Sequence, residues 1–153
     1  MRTEEVIIRR MKPEDLETVS RIEAECFSMP WSLAAYRKTL EDEKCLYLVA
    51  VWRETVIGMC GVLQVLDEGD ISNVAVTEKM RGRGVAGKML AELLRQGEER
   101  GICDFTLEVR VGNRAAIRLY EAHGFCSEGI RPGFYEAPRE DALIMWRRGS
   151  NYH

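Results

Sequence analysis

Residues Arg81–Met89 read RGRGVAGKM, and two phosphate-binding patterns fit them at once. Gly82, Gly84 and Gly87 satisfy G-x-G-x-x-G, the dinucleotide fingerprint. Gly82, Gly87 and Lys88 satisfy G-x-x-x-x-G-K, the nucleotide P-loop, with Met89 where that loop needs Ser or Thr. The P-loop hydroxyl ligates Mg²⁺, which a thioether cannot do in its place. Met89 also falls on the apolar stripe Val85, Met89, Leu90, Leu93, Leu94 of a helix predicted from Gly84 to Arg100 and stopped by Gly101. The dinucleotide reading has a strand before it, a helix after it, and acidic residues about 20 positions on at Asp104 and Glu108. Against it, the fingerprint turns directly off its strand, whereas TEKM intervenes here, and the chain beyond is too short for a second mononucleotide half. What survives is common to both patterns. Glycines let a backbone approach an anion, and N–H groups at a helix N-terminus stabilise phosphate, with Arg81, Arg83 and Lys88 adding positive charge. The alternative is a glycine turn with solvated cations. Gly87 weighs against it, because glycine inside a first helical turn costs about 1 kcal/mol relative to alanine.

Around this loop the pattern alternates between strand and helix. EVIIRR is a predicted strand, and Leu16, Val19, Ile22, Cys26 and Phe27 recur at helical spacing between Pro13 and Phe27. After the SMPWS turn, Leu33, Tyr36 and Leu40 mark a second helix. CLYLVAVW and TVIGMCGVLQVLD form a hairpin around Arg53-Glu54, and DISNVAV is a further strand. Beyond the glycine helix come the strand ICDFTLEVR and the helix NRAAIRLYEAH, with Asn113 as N-cap and Gly124 as its stop. FCSEGI and DALIMWRR are the last strands, with RPGFYEAPRE as the loop between them. The order β-α-α-β-β-β-α-β-α-β-β predicts an α/β fold: one domain over residues 1–153, with a mixed central sheet of about seven strands and about four helices.

Composition narrows the function classes. The 153-residue chain carries a formal charge of −3, which argues against a general nucleic-acid binder and leaves room for an amine or basic peptide as partner. The five cysteines have no C-x-x-C spacing, so they read as reduced thiols of a cytoplasmic protein. His123 and His153 cannot complete a zinc site with them at the usual spacings, so no metal is expected. No apolar run approaches the length of a membrane span, and MRTEEVIIRR is too acidic for a signal peptide. Nothing in the sequence sets the oligomeric state.

VAVTEKMRGRGVAGKML resembles the coenzyme-binding segment of the GNAT family of N-acetyltransferases, whose Q/R-x-x-G-x-G/A pattern is Arg81-Gly82-Arg83-Gly84-Val85-Ala86 here. TLEVRVGNRAAIRLYEAHGF is similar to the family's next strand and helix, and EDALIMW to its closing strand. FSMPWS, LEVR, LYEAHGF and GFYEAPREDA resemble the subgroup that acetylates the N-terminal alanine of a small-subunit ribosomal protein. The resemblance implies acetyl-CoA as cosubstrate and a protein N-terminus as acceptor. It implies that Gly82, Arg83, Gly84, Val85, Ala86 and Gly87 hold the pyrophosphate. Val74, Ala75 and Val76 would line the pantetheine arm and offer an N–H to the thioester oxygen, with Asn113 a further coenzyme contact.

It also implies that Glu108 is the general base and Tyr120 the general acid. Read alone, FTLEVR puts Phe105, Leu107 and Val109 on one face and Thr106 and Glu108 on the other, so Glu108 could be an outward strand carboxylate. Tyr120 shares a helical stripe with Ala116, Leu119 and His123, where an aromatic usually packs. Trp31 and Tyr135 are candidates for lining the peptide entrance, Tyr135 from a polar loop; packing is the other reading of Trp31. His123, in a last helical turn, reads as structural. Two rivals remain open: the same chemistry on a small amine or a lysine, and a non-catalytic acyl-CoA sensor, which would need neither Glu108 nor Tyr120.

Overall fold

The computed structural model describes residues 2–149; His153, one of the histidines weighed above as a ligand, lies outside the described residues. Seven strands form one sheet: β1 (Ile7–Arg10), β2 (Cys45–Trp52), β3 (Thr55–Val65), β4 (Glu68–Val76), β5 (Asp104–Arg110), β6 (Cys126–Glu136) and β7 (Arg139–Arg147). Their spatial order is β1-β2-β3-β4-β5-β7-β6, antiparallel except where β4 meets β5. The helices are α1 (Leu16–Cys26), α2 (Leu33–Leu40), α3 (Val85–Glu99) and α4 (Arg114–Ala122). Fold class and element order agree with the sequence reading. The β2–β3 hairpin turns at Arg53-Glu54, both at positive φ (48° and 66°), as a tight primed turn requires.

Strand alternation divides the apolar side chains between two cores. Leu46, Leu48 and Ala50 of β2 join Met89, Leu90 and Leu93 of α3 and Phe105 and Leu107 of β5, while Tyr47 and Val49 turn to Leu16, Val19 and Ile22 of α1 and Tyr36 of α2. α1 and α2 therefore cover one face of the sheet, and α3 and α4 the other. Met89 is wholly buried, as its place on the α3 stripe predicts.

One sequence expectation fails at the C-terminal hairpin. RPGFYEAPRE is not a loop: β6 runs on to Glu136 and β7 starts at Arg139, so Tyr135 lies on a strand opposite Glu140. Pro132 and Gly133 disguised the strand. The irregular register between Arg131 and Tyr135 places both at a bulge on the outermost strand, where such residues are tolerated.

The start of α1 is tied to β1 by a charge pair. Arg9 donates from Nη1 to Asp15 Oδ2 (2.8 Å) and from Nη2 to Oδ1 (2.9 Å), and the Lys12 N–H adds a third bond (2.8 Å). Burial alone would push the Asp15 carboxyl up, but these donors together hold it below its ordinary value. Such a group contributes stability that is present above the unfolded pKa and lost as pH falls through the folded one. Asp15→Asn is therefore expected to cost about 2 kcal/mol in urea unfolding at neutral pH. The difference from wild type should shrink as pH falls below about 4; a constant difference down to acid pH would remove this pair from the account.

Candidate active site

β4 and β5 pair in parallel over Glu68↔Asp104, Gly69↔Phe105 and Asp70↔Thr106, and no further. Both strands continue, β4 to Val76 and β5 to Arg110, so they diverge and leave a wedge in the middle of the sheet. A bulge in β4 falls just past the last pair: Gly61 opposes Asn73 while Val62 opposes Ile71, leaving Ser72 as the extra residue. The bulge reverses side-chain parity. Ile71, Val74 and Val76 all pack toward α3, and Ala75 packs toward α1.

The backbone edge of β4 along the wedge can be read from its neighbours. Thr77 donates its N–H to Ile57 O of β3 (2.8 Å), so alternation turns Ala75's polar groups toward β3 and those of Val74 and Val76 toward the wedge. Val76 O accepts from Arg81 Nε (3.0 Å). The N–H groups of Val74 and Val76 face a space in which the described residues offer them no partner. Of the three residues expected here, Val74 and Val76 present polar groups to the wedge and Ala75 presents none.

The glycine loop closes one end of the wedge. Gly82 and Gly84 sit at φ of +75° and +84°, a conformation open to glycine at little cost. From Gly82 to Gly87 no backbone N–H has a hydrogen-bond partner among the described residues; the first α3 bond is Lys88 N to Gly84 O (3.1 Å). A row of free donors at the positive end of a fifteen-residue helix is a geometry that can receive a phosphate group. A Cβ on Gly87 would make only ordinary contacts with Leu119 and His123 of α4, so packing does not demand glycine there.

Two of the three cations assigned to the loop are engaged elsewhere. Lys88 Nζ donates to Thr3 O (2.9 Å) and Val6 O (2.6 Å), holding the N-terminal segment against α3. Arg81 holds the end of β4 and reaches Cys26 Sγ (3.2 Å). Arg83 is exposed, with no side-chain partner among the described residues. Sequence spacing cannot separate a cation that faces an anion from one that caps a distant carbonyl.

Glu108 and Tyr120 approach from opposite faces. Glu108 lies on the α1–α2 face of β5, one quarter exposed, with Arg131 Nη2 3.7 Å away. Tyr120 of α4 packs edge-on to Phe125 (5.7 Å between centroids) on the α3 side, and its hydroxyl has no partner among the described residues. Burial pushes its phenol well above the ordinary tyrosine value, with Cys60 and Tyr135 adding to the shift. Tyr135 is raised by burial and by Glu108, against the pull of Arg110, whose guanidinium lies 4.3 Å from its ring centre. Tyr135 is thus close enough to feel Glu108 and to act on Tyr120.

The rest of the wall was not apparent from the sequence. Arg110 donates to Pro138 O (2.8 Å) and Ser28 Oγ (3.4 Å) and pairs with Glu140 (3.2 Å), joining β5 to the β6–β7 turn and to the segment after α1. Trp31 packs on Tyr36 and Tyr47 (5.2 and 6.2 Å between centroids) and also borders a groove of about 530 Å³ lined in part by Asp70 and Ser72. Asn113 caps α4 through Oδ1 to the Ala116 N–H (3.2 Å), and His123 Nδ1 bonds Leu119 O (2.9 Å), a structural role. Among the described residues no cluster of His, Cys, Asp and Glu could hold a metal ion, and no helix is long and apolar enough to cross a membrane.

The sequence pattern of the acetyltransferase (GNAT) family matches residues 16–125, which span the wedge and the glycine loop. The chain belongs to this family. It is an acetyl-CoA-dependent N-acetyltransferase. It is 32% identical over 140 residues to the ribosomal protein bS18-alanine N-acetyltransferase of Escherichia coli (strain K12), covering 90% of this chain and 94% of that one. A Bacillus subtilis (strain 168) protein to which the same activity is ascribed is 35% identical over 140 residues, covering 91% and 93%. The crystal structure of the ribosomal-protein-S18-alanine N-acetyltransferase from Escherichia coli superposes with a TM-score of 0.87 over 95% of this chain and 94% of that one, at 31% identity.

The loop geometry makes a direct prediction. Gly84→Val puts a β-branched residue at φ +84° and must reorient the N–H row. Acetyl-CoA affinity, read by calorimetry, should fall about tenfold or more, the scale of one or two lost charge-assisted bonds. Unchanged affinity would dismiss the cradle.

Proposed function

We propose that this N-acetyltransferase acts on a protein α-amino terminus, the N-terminal alanine of a small-subunit ribosomal protein. The observation that carries the reading is the wedge, entered from the α3–α4 face past the glycine loop and from the α1–α2 face past Glu108 and Tyr135. A coenzyme and a polypeptide end can then meet through the sheet without sharing a route.

Bound acetyl-CoA supplies an activated acetyl thioester; this chain supplies position and protons. The N–H groups from Gly82 to Gly87 hold the pyrophosphate, with Arg83 beside it, and Asn113 makes a further coenzyme contact. The Val74 and Val76 edge directs the pantetheine arm and offers an N–H to the carbonyl oxygen as it gains charge. An α-amine has a pKa near 8, so Glu108, directly or through a water, removes one proton from a group already close to neutral. Tyr120 stays protonated throughout the working pH range, because its phenol is raised further. As general acid it passes its proton to the departing sulfur as the carbon–sulfur bond breaks, and solvent, which takes the nitrogen's remaining ammonium proton, reprotonates the phenol. Trp31 and Tyr135 border the acceptor's entrance.

Free-thiol release should be followed with acetyl-CoA and a panel of alanine-starting peptides, internal-lysine peptides and polyamines. Turnover should favour the peptide N-terminus. A preference for polyamines would defeat the peptide reading, and no turnover with any amine would favour the sensor. Tyr120→Phe should fold normally and lower kcat about a hundredfold with little change in acetyl-CoA affinity. Glu108→Gln should lose at least as much near neutral pH and recover partly at alkaline pH, where the amine is neutral without help. Equal loss at every pH would mean that Glu108 does not act as the base.

A further inference from the structure

Asp70 is the last β4 residue paired to β5, opposite Thr106 in a parallel rung. Paired residues point to the same face, and Glu108 is two positions beyond Thr106, so Asp70, Thr106 and Glu108 share the α1–α2 face at the apex of the wedge. Asp70 also lines the groove bordered by Trp31, Tyr47 and Lys38. It therefore stands where the groove and the wedge meet.

Its surroundings are unfavourable for a carboxylate. Asp70 is exposed at the groove, yet partial desolvation and the neighbouring Glu108 both push it above its ordinary value, and only Arg131 pulls the other way. Arg131 sits 3.7 Å from Glu108, and Asp70 has no hydrogen bond or ion pair among the described residues. The charged groups around it are Glu108 on β5, Arg131 on β6, and Lys38 and Asp42 across the groove, with the Tyr47 hydroxyl held by Ser72 (2.6 Å). A raised carboxylate opposes folding at neutral pH, so stability does not account for it. A cation arriving between the two carboxylates would relieve their repulsion. The acceptor brings one, because an α-amine near pH 7 arrives mostly as ammonium.

We propose that Asp70 is a second acceptor-binding carboxylate, which receives the substrate ammonium beside Glu108 and holds it until Glu108 takes the proton. The inference rests on the acceptor reading above. It divides the work: Asp70 acts on binding of the charged amine, Glu108 on its deprotonation. Ammonium binds at the Asp70–Glu108 apex; one of its N–H bonds breaks, the proton forms an O–H bond on the Glu108 carboxylate, and the electron pair left on nitrogen turns to the thioester carbon.

The test compares Asp70→Asn, Asp70→Glu and Glu108→Gln in the full chain, using an alanine-starting peptide and its deamino analogue, which has hydrogen in place of the amine, as a competitive inhibitor. Asp70→Asn should raise the peptide KM about tenfold, the worth of one charge-assisted bond, with kcat and the acetyl-CoA KM nearly unchanged. Its affinity for the uncharged deamino analogue should stay at the wild-type level, and its unfolding midpoint should not fall. Asp70→Glu should recover part of the KM. An unchanged peptide KM in Asp70→Asn overturns the inference, and so does a loss confined to kcat, which would make Asp70 the base. Glu108→Gln reads the acceptor mechanism separately: its kcat collapses if Glu108 is the base, whatever Asp70 does.

Discussion

Everything in this site follows from how soon two parallel strands stop pairing. β4 and β5 share three rungs and then part, which costs the sheet the hydrogen bonds that further pairing would have made. Buried backbone groups left that way are ordinarily unfavourable, at about 1–3 kcal/mol each. Part of the edge is closed internally, since Arg81 Nε satisfies Val76 O. The remaining N–H groups are available to a substrate that can act as a missing strand. On the proposed function the gap in the sheet is the binding site, and the same divergence would let side chains from opposite faces act on one reaction.

The β4 bulge makes the gap chemically usable. Without the extra residue at Ser72, alternation would place residues 71, 73 and 75 on one face. With it, Asp70 stays on the acceptor side while Val74 and Val76 pack toward α3, which carries the glycine cradle. One inserted residue separates the polar end of β4, which the proposal gives to the acceptor, from its apolar end, which it gives to the coenzyme. Glu108 needs no such device, because β5 alternates regularly, with Phe105, Leu107 and Val109 buried against it.

Much of this was legible locally. The α3 stripe, the glycine punctuation, the Arg53-Glu54 hairpin and the parity of β5 are short-range patterns, and the structure agrees with each. What the sequence concealed depends on pairing between distant segments. Nothing near Asp70 announces that Thr106 will stand opposite it, so its neighbour Glu108 is invisible until the register is known. Lys88 looked like a phosphate ligand because it adjoins the glycines, yet the carbonyls of Thr3 and Val6 claim it. Pro132 and Gly133 read as a loop because propensity does not know that β6 is an outer strand.

The two sides of the wedge are built by different means. On the α3 side, which the proposal gives to the coenzyme, the donors are main-chain N–H groups, fixed by two glycines at positive φ. On the acceptor side the wall is held by side chains. Glu23, 1% exposed, accepts from the Tyr36 hydroxyl (2.5 Å) and the Trp31 N–H (3.0 Å), and so fixes the segment between α1 and α2 against the sheet. Arg110 grips the same segment at Ser28 and the β6–β7 turn at Pro138. A buried carboxylate with neutral donors must keep its partners close, because an unpaired charge there would cost several kcal/mol. A backbone cradle suits a phosphate group that is the same in every turnover. Side-chain clamps can be retuned residue by residue without disturbing that cradle, so the proposed function would put acceptor choice in α1, α2 and the β6–β7 hairpin rather than in the glycine loop.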